Sequence, residues 1–167
     1  MSKRARSDAK AKRKPDLGWL FVVLILVAVG AAAWSFLAQR DASRADPGNR
    51  ELVAHGQAVY EKHCAACHGL RLEGQPNWQT RLPSGRMPAP PHDASGHTWH
   101  HPDDLLFGMT KEGIVPGKYA PPGYQSDMPA FGGTLSDHDI WAVLAYIKSR
   151  WPSEIRRAQQ ERRHAMR

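Results

Sequence analysis

Only two cysteines occur among the 167 residues, Cys64 and Cys67. Without a second pair a four-thiolate zinc site is excluded, and histidines would have to complete any zinc site here. No βαβ pattern surrounds the pair, which argues against a thioredoxin-like redox dithiol. A disulfide between them would close a loop too short to constrain the chain. Alternating strand patterns, internal repeats and low-complexity tracts are also missing. No nucleic-acid-binding motif accompanies the net charge of +7. That charge is unevenly spread. Residues 1–14 hold seven basic side chains against one acid, Asp8, and 152–167 hold five against two, whereas 51–151 hold eight basic and ten acidic groups. The basic balance therefore reports the two termini and not a nucleic-acid footprint.

What is present between the cysteines carries the chemistry. Cys64-Ala65-Ala66-Cys67-His68 is a C-x-x-C-H run, the attachment signal for a c-type haem. Two thioethers must reach the two vinyl groups on one porphyrin edge, and two intervening residues in a helical turn give that reach. The next residue places its imidazole beneath the iron as proximal ligand. One covalent haem c is the expected cofactor.

Charge is also absent from Gly18 to Ala38, a run of mostly apolar residues. At about 1.5 Å per residue a helix of that length spans roughly 30 Å, the thickness of a bilayer core. Trp19 and Trp34 fall near its ends, where aromatic belts form, and the basic flank is expected to stay cytoplasmic. The competing reading, a cleaved signal peptide, wants a shorter apolar core and a small-x-small site. The expected organisation is a cytoplasmic basic segment 1–17, a transmembrane anchor 18–38, and a flexible linker 39–50. A globular domain 51–151 and a solvated basic tail 152–167 follow. This places the domain on the periplasmic side of a bacterial inner membrane, where c-type haem is attached.

Three helices are legible in the domain. The first runs from Arg50 to Cys67, with Gly56, Tyr60 and Cys64 on one face. Glycine in mid-helix costs about 1 kcal/mol against alanine, so Gly56 predicts close approach by another helix. The second runs from Pro102, placed in the first helical position, to Glu112, with Gly113 as its stop. The third begins at Ser136, which forms a capping-box pattern with Asp139. Ile140, Val143, Leu144 and Ile147 make its apolar stripe, and Pro152 closes it. The intervening Gly- and Pro-rich loops make sense if a large apolar cofactor supplies much of the core.

His68 leaves one face of the iron to fill. Met87, Met109, Met128 and the histidines His92, His97, His100 and His101 compete for it. Met109 falls on an apolar helix face, where packing is the stronger reading. Met87 follows His68 too soon for the chain to have wrapped the porphyrin. Met128 lies in an irregular loop containing Pro129 and Gly132-Gly133, and is the expected sixth ligand.

Taken together, Gly56-x-x-x-Tyr60-x-x-x-Cys64-Ala-Ala-Cys67-His68-Gly69, then Met128-Pro129-Ala130-Phe131-Gly132, then the helix ending Ala145-Tyr146-Ile147, resemble a membrane-anchored, monohaem class I cytochrome c. The resemblance covers about Glu51 to Trp151. It implies an all-α fold of three to five helices around the haem, here preceded by one transmembrane helix. It implies first and last helices crossing, with Gly56 and Tyr60 against Val143 and Tyr146. It further implies a proline carbonyl orienting the His68 ring, from Pro90 or Pro91. Residues 71–101 are longer than in the smallest members. There Trp99, with His97, His100 and His101, is expected to face the propionates, or those histidines to bind copper or zinc. The expected site is thus Cys64, Cys67, His68, Met128, Pro90 (or Pro91) and Trp99, with His68 and Met128 on the iron.

Two filled axial positions leave no place for a substrate. The expected function is one-electron transfer between redox protein partners or inner-membrane respiratory complexes, with no nucleic acid and no small-molecule substrate. The alternatives are a haem subunit of a membrane oxidoreductase, a five-coordinate haem sensor, and a copper-handling protein.

Overall fold

The computed structural model describes residues 17–42 and 44–165, with side chains over 18–34 and 44–162. The basic N-terminus expected to be cytoplasmic lies almost wholly outside these residues. Helix α1 (Leu17–Ala42) forms one unit by itself. Its apolar side chains, among them Trp19, Leu24 and Trp34, are exposed. Among the described residues no helix is long and apolar enough to cross a membrane. The part of α1 whose side chains are described, 18–34, would extend only about 26 Å.

The second unit is all-α, with α2 (Arg50–His63), α3 (Ala65–His68), α4 (Asp103–Glu112), α5 (Asp137–Ser149) and α6 (Ser153–Ala165), plus a 3-10 turn at Thr98–His100. Among the described residues the only sheet-like pairings are two isolated bridges, Met87 with Ser126 and Pro116 with Ala120.

Helices α2 and α5 cross at Gly56. A Cβ there would lie 1.9 Å from the Ala142 carbonyl oxygen and 3.0 Å from the Val143 nitrogen, so only glycine fits. The crossing buries Tyr60 fully and packs it on Tyr146, ring centroids 5.3 Å apart, with Val143, Ile147, Trp151 and Leu72 completing the cluster. The α5 start is the predicted capping box. Ser136 Oγ accepts from the Asp139 N–H at 3.2 Å, and Asp139 Oδ2 accepts from the Ser136 N–H at 3.0 Å.

Four expectations need correction. The first helix does not run unbroken to Cys67. Cys64 sits at φ −118°, which ends α2 at His63 and starts the short α3, although His68 N–H still bonds the Cys64 carbonyl at 2.9 Å. Pro102 is the N-cap of α4 in extended backbone and not its first residue. The linker is not free to its end. Helix α1 covers its start, Ala45 is buried against Leu106 and Leu144, and Asn49 caps α2 by accepting from the Leu52 N–H at 3.1 Å. Nor is the tail solvated on every side, because its side chains are not uniformly polar: most of 152–162 are exposed, but one face is docked. Ile155 packs on the α2/α5 cluster, and Gln159 is buried, donating to the His101 carbonyl and to Asp103 Oδ1 at 3.0 Å each.

A buried ion pair ties this corner together. Lys148 of α5 donates to Asp103 of α4 at 2.7 and 2.9 Å, with side chains 9% and 14% exposed. Gln159 of α6 binds the same carboxylate.

Candidate functional site

The site grows from the end of α2. Tyr60 sends its hydroxyl to the Gly69 carbonyl at 2.8 Å, which pins the turn after His68 to the helix crossing. Burial, with Cys64 close by, pushes the Tyr60 phenol well up, so it stays a neutral donor. Cys64 is half-buried against the same cluster, and Cys67 is exposed; both are free thiols. Burial and the neighbouring Cys67 raise the Cys64 thiol to about 11, which keeps it protonated at neutral pH.

His68 is buried on α3. Its Nδ1–H donates to the Pro90 carbonyl at 2.9 Å. A carbonyl only accepts, so the proton is on Nδ1 and the Nε2 lone pair is free for a metal. Burial lowers the pKa of this imidazole and so favours the neutral, ligating form. Pro91 is placed differently. Its carbonyl lies 3.4 Å from the Thr98 hydroxyl and would be 2.0 Å from a Cβ on Gly96. The Pro90-Pro91 step also packs on Gly74, which adopts φ +67° and has room for no side chain. Behind His68 the ring of His92 stacks at 4.0 Å between centroids, with its Nδ1 2.8 Å from Thr98 Oγ1. The His92 carbonyl accepts from the Trp151 indole at 2.7 Å. Sequence reasoning missed His92 as a packing partner of His68; only its nearness to Pro90-Pro91 hinted at it.

Met128 lies half-buried on a loop held at both sides. Its N–H donates to Ser126 Oγ at 3.1 Å. Upstream, Arg86 donates to the Ser126 carbonyl at 2.9 Å and pairs with Asp127 at 2.7 Å. Downstream, the Phe131 and Gly132 N–H groups bond the Thr110 and Lys111 carbonyls at the end of α4 at 3.0 and 2.8 Å. Met87 lies alongside, its N–H donating to the Gln125 carbonyl at 2.9 Å. The two Met-Pro-Ala segments are thus neighbours, which their sequence separation concealed. Met109 packs with Leu106 and Leu144.

Trp99 gives its indole N–H to the Gly96 carbonyl at 3.1 Å, so in this arrangement it is not free for a propionate. The ligand atoms of His97, His100 and His101 do not converge into a metal-sized group among the described residues. His97 instead stacks on Trp78, and its Nδ1 is buried without a partner.

These residues fit a covalently held haem. The two thiols are free, and the adjacent imidazole is held in the ligating tautomer. Between Leu72 and Leu106, and between Leu106 and Leu135, no Ala, Val, Ile, Leu, Met, Phe, Tyr or Trp is buried. The loops that would face the porphyrin therefore have little apolar core of their own, and a buried His97 nitrogen awaits an acceptor or donor.

Three relatives are similar over this region. A thiosulfate dehydrogenase of Stutzerimonas stutzeri (strain A1501) is 29% identical over 100 residues, 58% of this chain and 27% of that protein. The gluconate 2-dehydrogenase cytochrome c subunit of Pantoea cypripedii is 31% identical over 96 residues, 58% of this chain and 20% of that protein. Cytochrome c-555 of Prosthecochloris aestuarii is 27% identical over 103 residues, 57% of this chain and 84% of that protein. The chain thus spans only about a quarter and a fifth of the first two. No solved structure matches. The family model for cytochrome c matches residues 53–151, more than half of the chain and the whole of the CxxCH-to-α5 region just described, and the chain belongs to the cytochrome c family.

Proposed function

We propose that the chain carries single electrons through one haem c, attached by Cys64 and Cys67 and ligated by His68 and Met128. The carrying observation is the Nδ1–H of His68 on Pro90 at 2.9 Å, directly after the two free thiols. When bound, the haem supplies a centre that takes up and returns one electron, at a potential raised by a thioether ligand. The protein's own part is to hold it. Pro90 fixes the imidazole plane, Tyr60 fixes the turn behind it, and Arg86 with the α4 carbonyls fixes the Met128 loop. With both axial positions filled no site is left for a substrate, so this reading is of a carrier and not of a five-coordinate sensor.

We place the domain at the outer face of a bacterial inner membrane, anchored by residues 18–38. The support is the uncharged run, its flanking basic residues and the unbroken helix of 26 residues with exposed apolar side chains. Anchoring raises the effective concentration of the domain for redox partners in the same membrane. A second reading is a haem subunit of a dehydrogenase complex. It is favoured by one relative named as a dehydrogenase and another as the cytochrome subunit of one.

Reduced-minus-oxidised absorbance of the purified holoprotein tests the ligation. A low-spin c-type spectrum, with the weak near-infrared band of thioether ligation in the ferric form, is expected. Rapid carbon monoxide binding by the wild type, with no such band, would reject the His/Met carrier. Purification from membranes in mild detergent separates the two settings. A carrier is recovered alone, and a subunit is recovered in fixed ratio with a dehydrogenase.

A further inference from the structure

A second group of ligating side chains sits away from the haem residues. His55 lies on α2, nine positions before Cys64 and about 13 Å from it along the helix axis. The Gly56 crossing brings it onto the first turn of α5. There its Nε2–H donates to Asp139 Oδ1 at 2.6 Å. His138 is adjacent, its ring centroid 5.2 Å from that of His55. One ligand atom from each of the three residues lies within 4.8 Å of the others, and both histidines are exposed.

We propose that His55, His138 and Asp139 bind one divalent transition cation of the Zn2+ type across the α2/α5 crossing. Four observations support this. Two imidazoles and one carboxylate form a borderline donor set, suited to Zn2+ and unlike the all-oxygen shells of Ca2+ and Mg2+. Tetrahedral bonds of about 2.0–2.1 Å need donor atoms about 3.3 Å apart, so the 2.6 Å pair must open by under 1 Å while His138 swings inward. The second oxygen of Asp139 is held by the Ser136 hydroxyl at 2.6 Å and N–H at 3.0 Å. That outer shell fixes the carboxylate as metal sites require. Finally, Asp139 in the first turn offsets the positive end of the α5 dipole, which otherwise repels a cation, whereas Asp137 is already paired with Lys111 at 2.6 Å. Three protein donors leave the fourth position to water. A cation here would link α2 to α5 beside the close contact that organises the fold.

Equilibrium dialysis of the holoprotein against Zn2+ at neutral pH, with metal counted per haem, tests the site. One Zn2+ is expected to be lost, with affinity falling at least about tenfold, in His55→Ala and in His138→Ala, and kept in His100→Ala. Zn2+ should raise the melting temperature of wild type and not of His55→Ala, because a ligand of the folded state stabilises it. The haem spectrum reports that each variant is folded. Equal uptake by wild type, His55→Ala and His138→Ala, or no stoichiometric uptake by wild type, would overturn the proposal.

Discussion

The α2/α5 crossing and the loop layer formed by residues 73–97 and 114–134 are built on opposite terms. The crossing buries Tyr60, Ile140, Val143, Ile147 and Trp151, and its helices are capped by Asn49 and Ser136. Its cohesion is apolar burial, at about 25 cal/mol per Å2 removed from water, and it is complete within the polypeptide. The loop layer buries no large apolar side chain and is held by turns and polar ties such as Arg81 to the Gly85 carbonyl at 2.7 Å. Several of its glycines, including Gly74, Gly85 and Gly117, take positive φ. Fixing such backbone is entropically expensive, so the layer needs something to bury against. The contrast is between a half of the domain with its own apolar core and a half that has almost none.

Breaking the crossing should have the largest effect. Gly56→Val puts a side chain where the Ala142 carbonyl already stands, 1.9 Å from the first added atom. Backbone on both sides cannot yield, so stability should fall by upwards of about 3 kcal/mol. Denaturant unfolding of the holoprotein checks this; an unchanged midpoint would mean that the helices do not touch.

The polar corner of the scaffold should come next. Lys148→Ala leaves Asp103 buried with only Gln159 as partner, at a cost of about 3 kcal/mol. Replacing both Lys148 and Asp103 with apolar residues should recover much of that loss. A double variant no better than the single one would show that the pair is not what holds α4 to α5.

In the loop layer the expected effects are functional before they are structural. Met128→Ala should leave the haem attached, shift the iron toward high spin and lower the reduction potential. Met87→Ala should not, although the two segments are neighbours. Arg86→Ala removes an exposed pair worth under about 1 kcal/mol of global stability. It should nonetheless weaken the near-infrared band, because the Met128 loop loses its upstream tie. A spectrum indifferent to Met128→Ala would reassign the ligand.

Of similarly small size, and seen only in acid, is a pH dependence confined to the scaffold. Hydrogen bonds from the Ser136 hydroxyl and from His55 lower the Asp139 carboxyl from 3.8 to about 2. A depressed folded-state pKa stabilises above the unfolded value and is lost as pH falls through the folded one. The contribution should therefore be intact above about pH 4 and vanish toward pH 2, a loss of about 1 kcal/mol typical of a helix cap. Asp139→Asn should flatten that part of the stability curve. If wild type and variant lose stability in parallel from pH 4 to 2, the carboxylate carries no such linkage.

What was legible in the chain was local. A CxxCH run contains its own chemistry, because two thiols and an imidazole within one turn need no distant partner to be recognised. The capping box of Ser136 and Asp139, the apolar stripe of α5 and the anomalous Gly56 are likewise properties of a few consecutive residues. Tertiary structure decided what depends on which carbonyl or side chain arrives from afar. Pro90 and Pro91 are chemically alike, and only the fold of 69–91 turns the first toward His68. The basic tail reads as solvated throughout, yet Ile155 packs on the α2/α5 cluster and Gln159 reaches His101 and Asp103. That the Trp99 N–H meets the Gly96 carbonyl is likewise set by how the chain turns at 96–99. His55 and Asp139 stand 84 positions apart, and their meeting is written in neither neighbourhood. Propensity and patterning act over a helical turn, whereas pairing across the domain is set by the sum of packing at Gly56 and beyond.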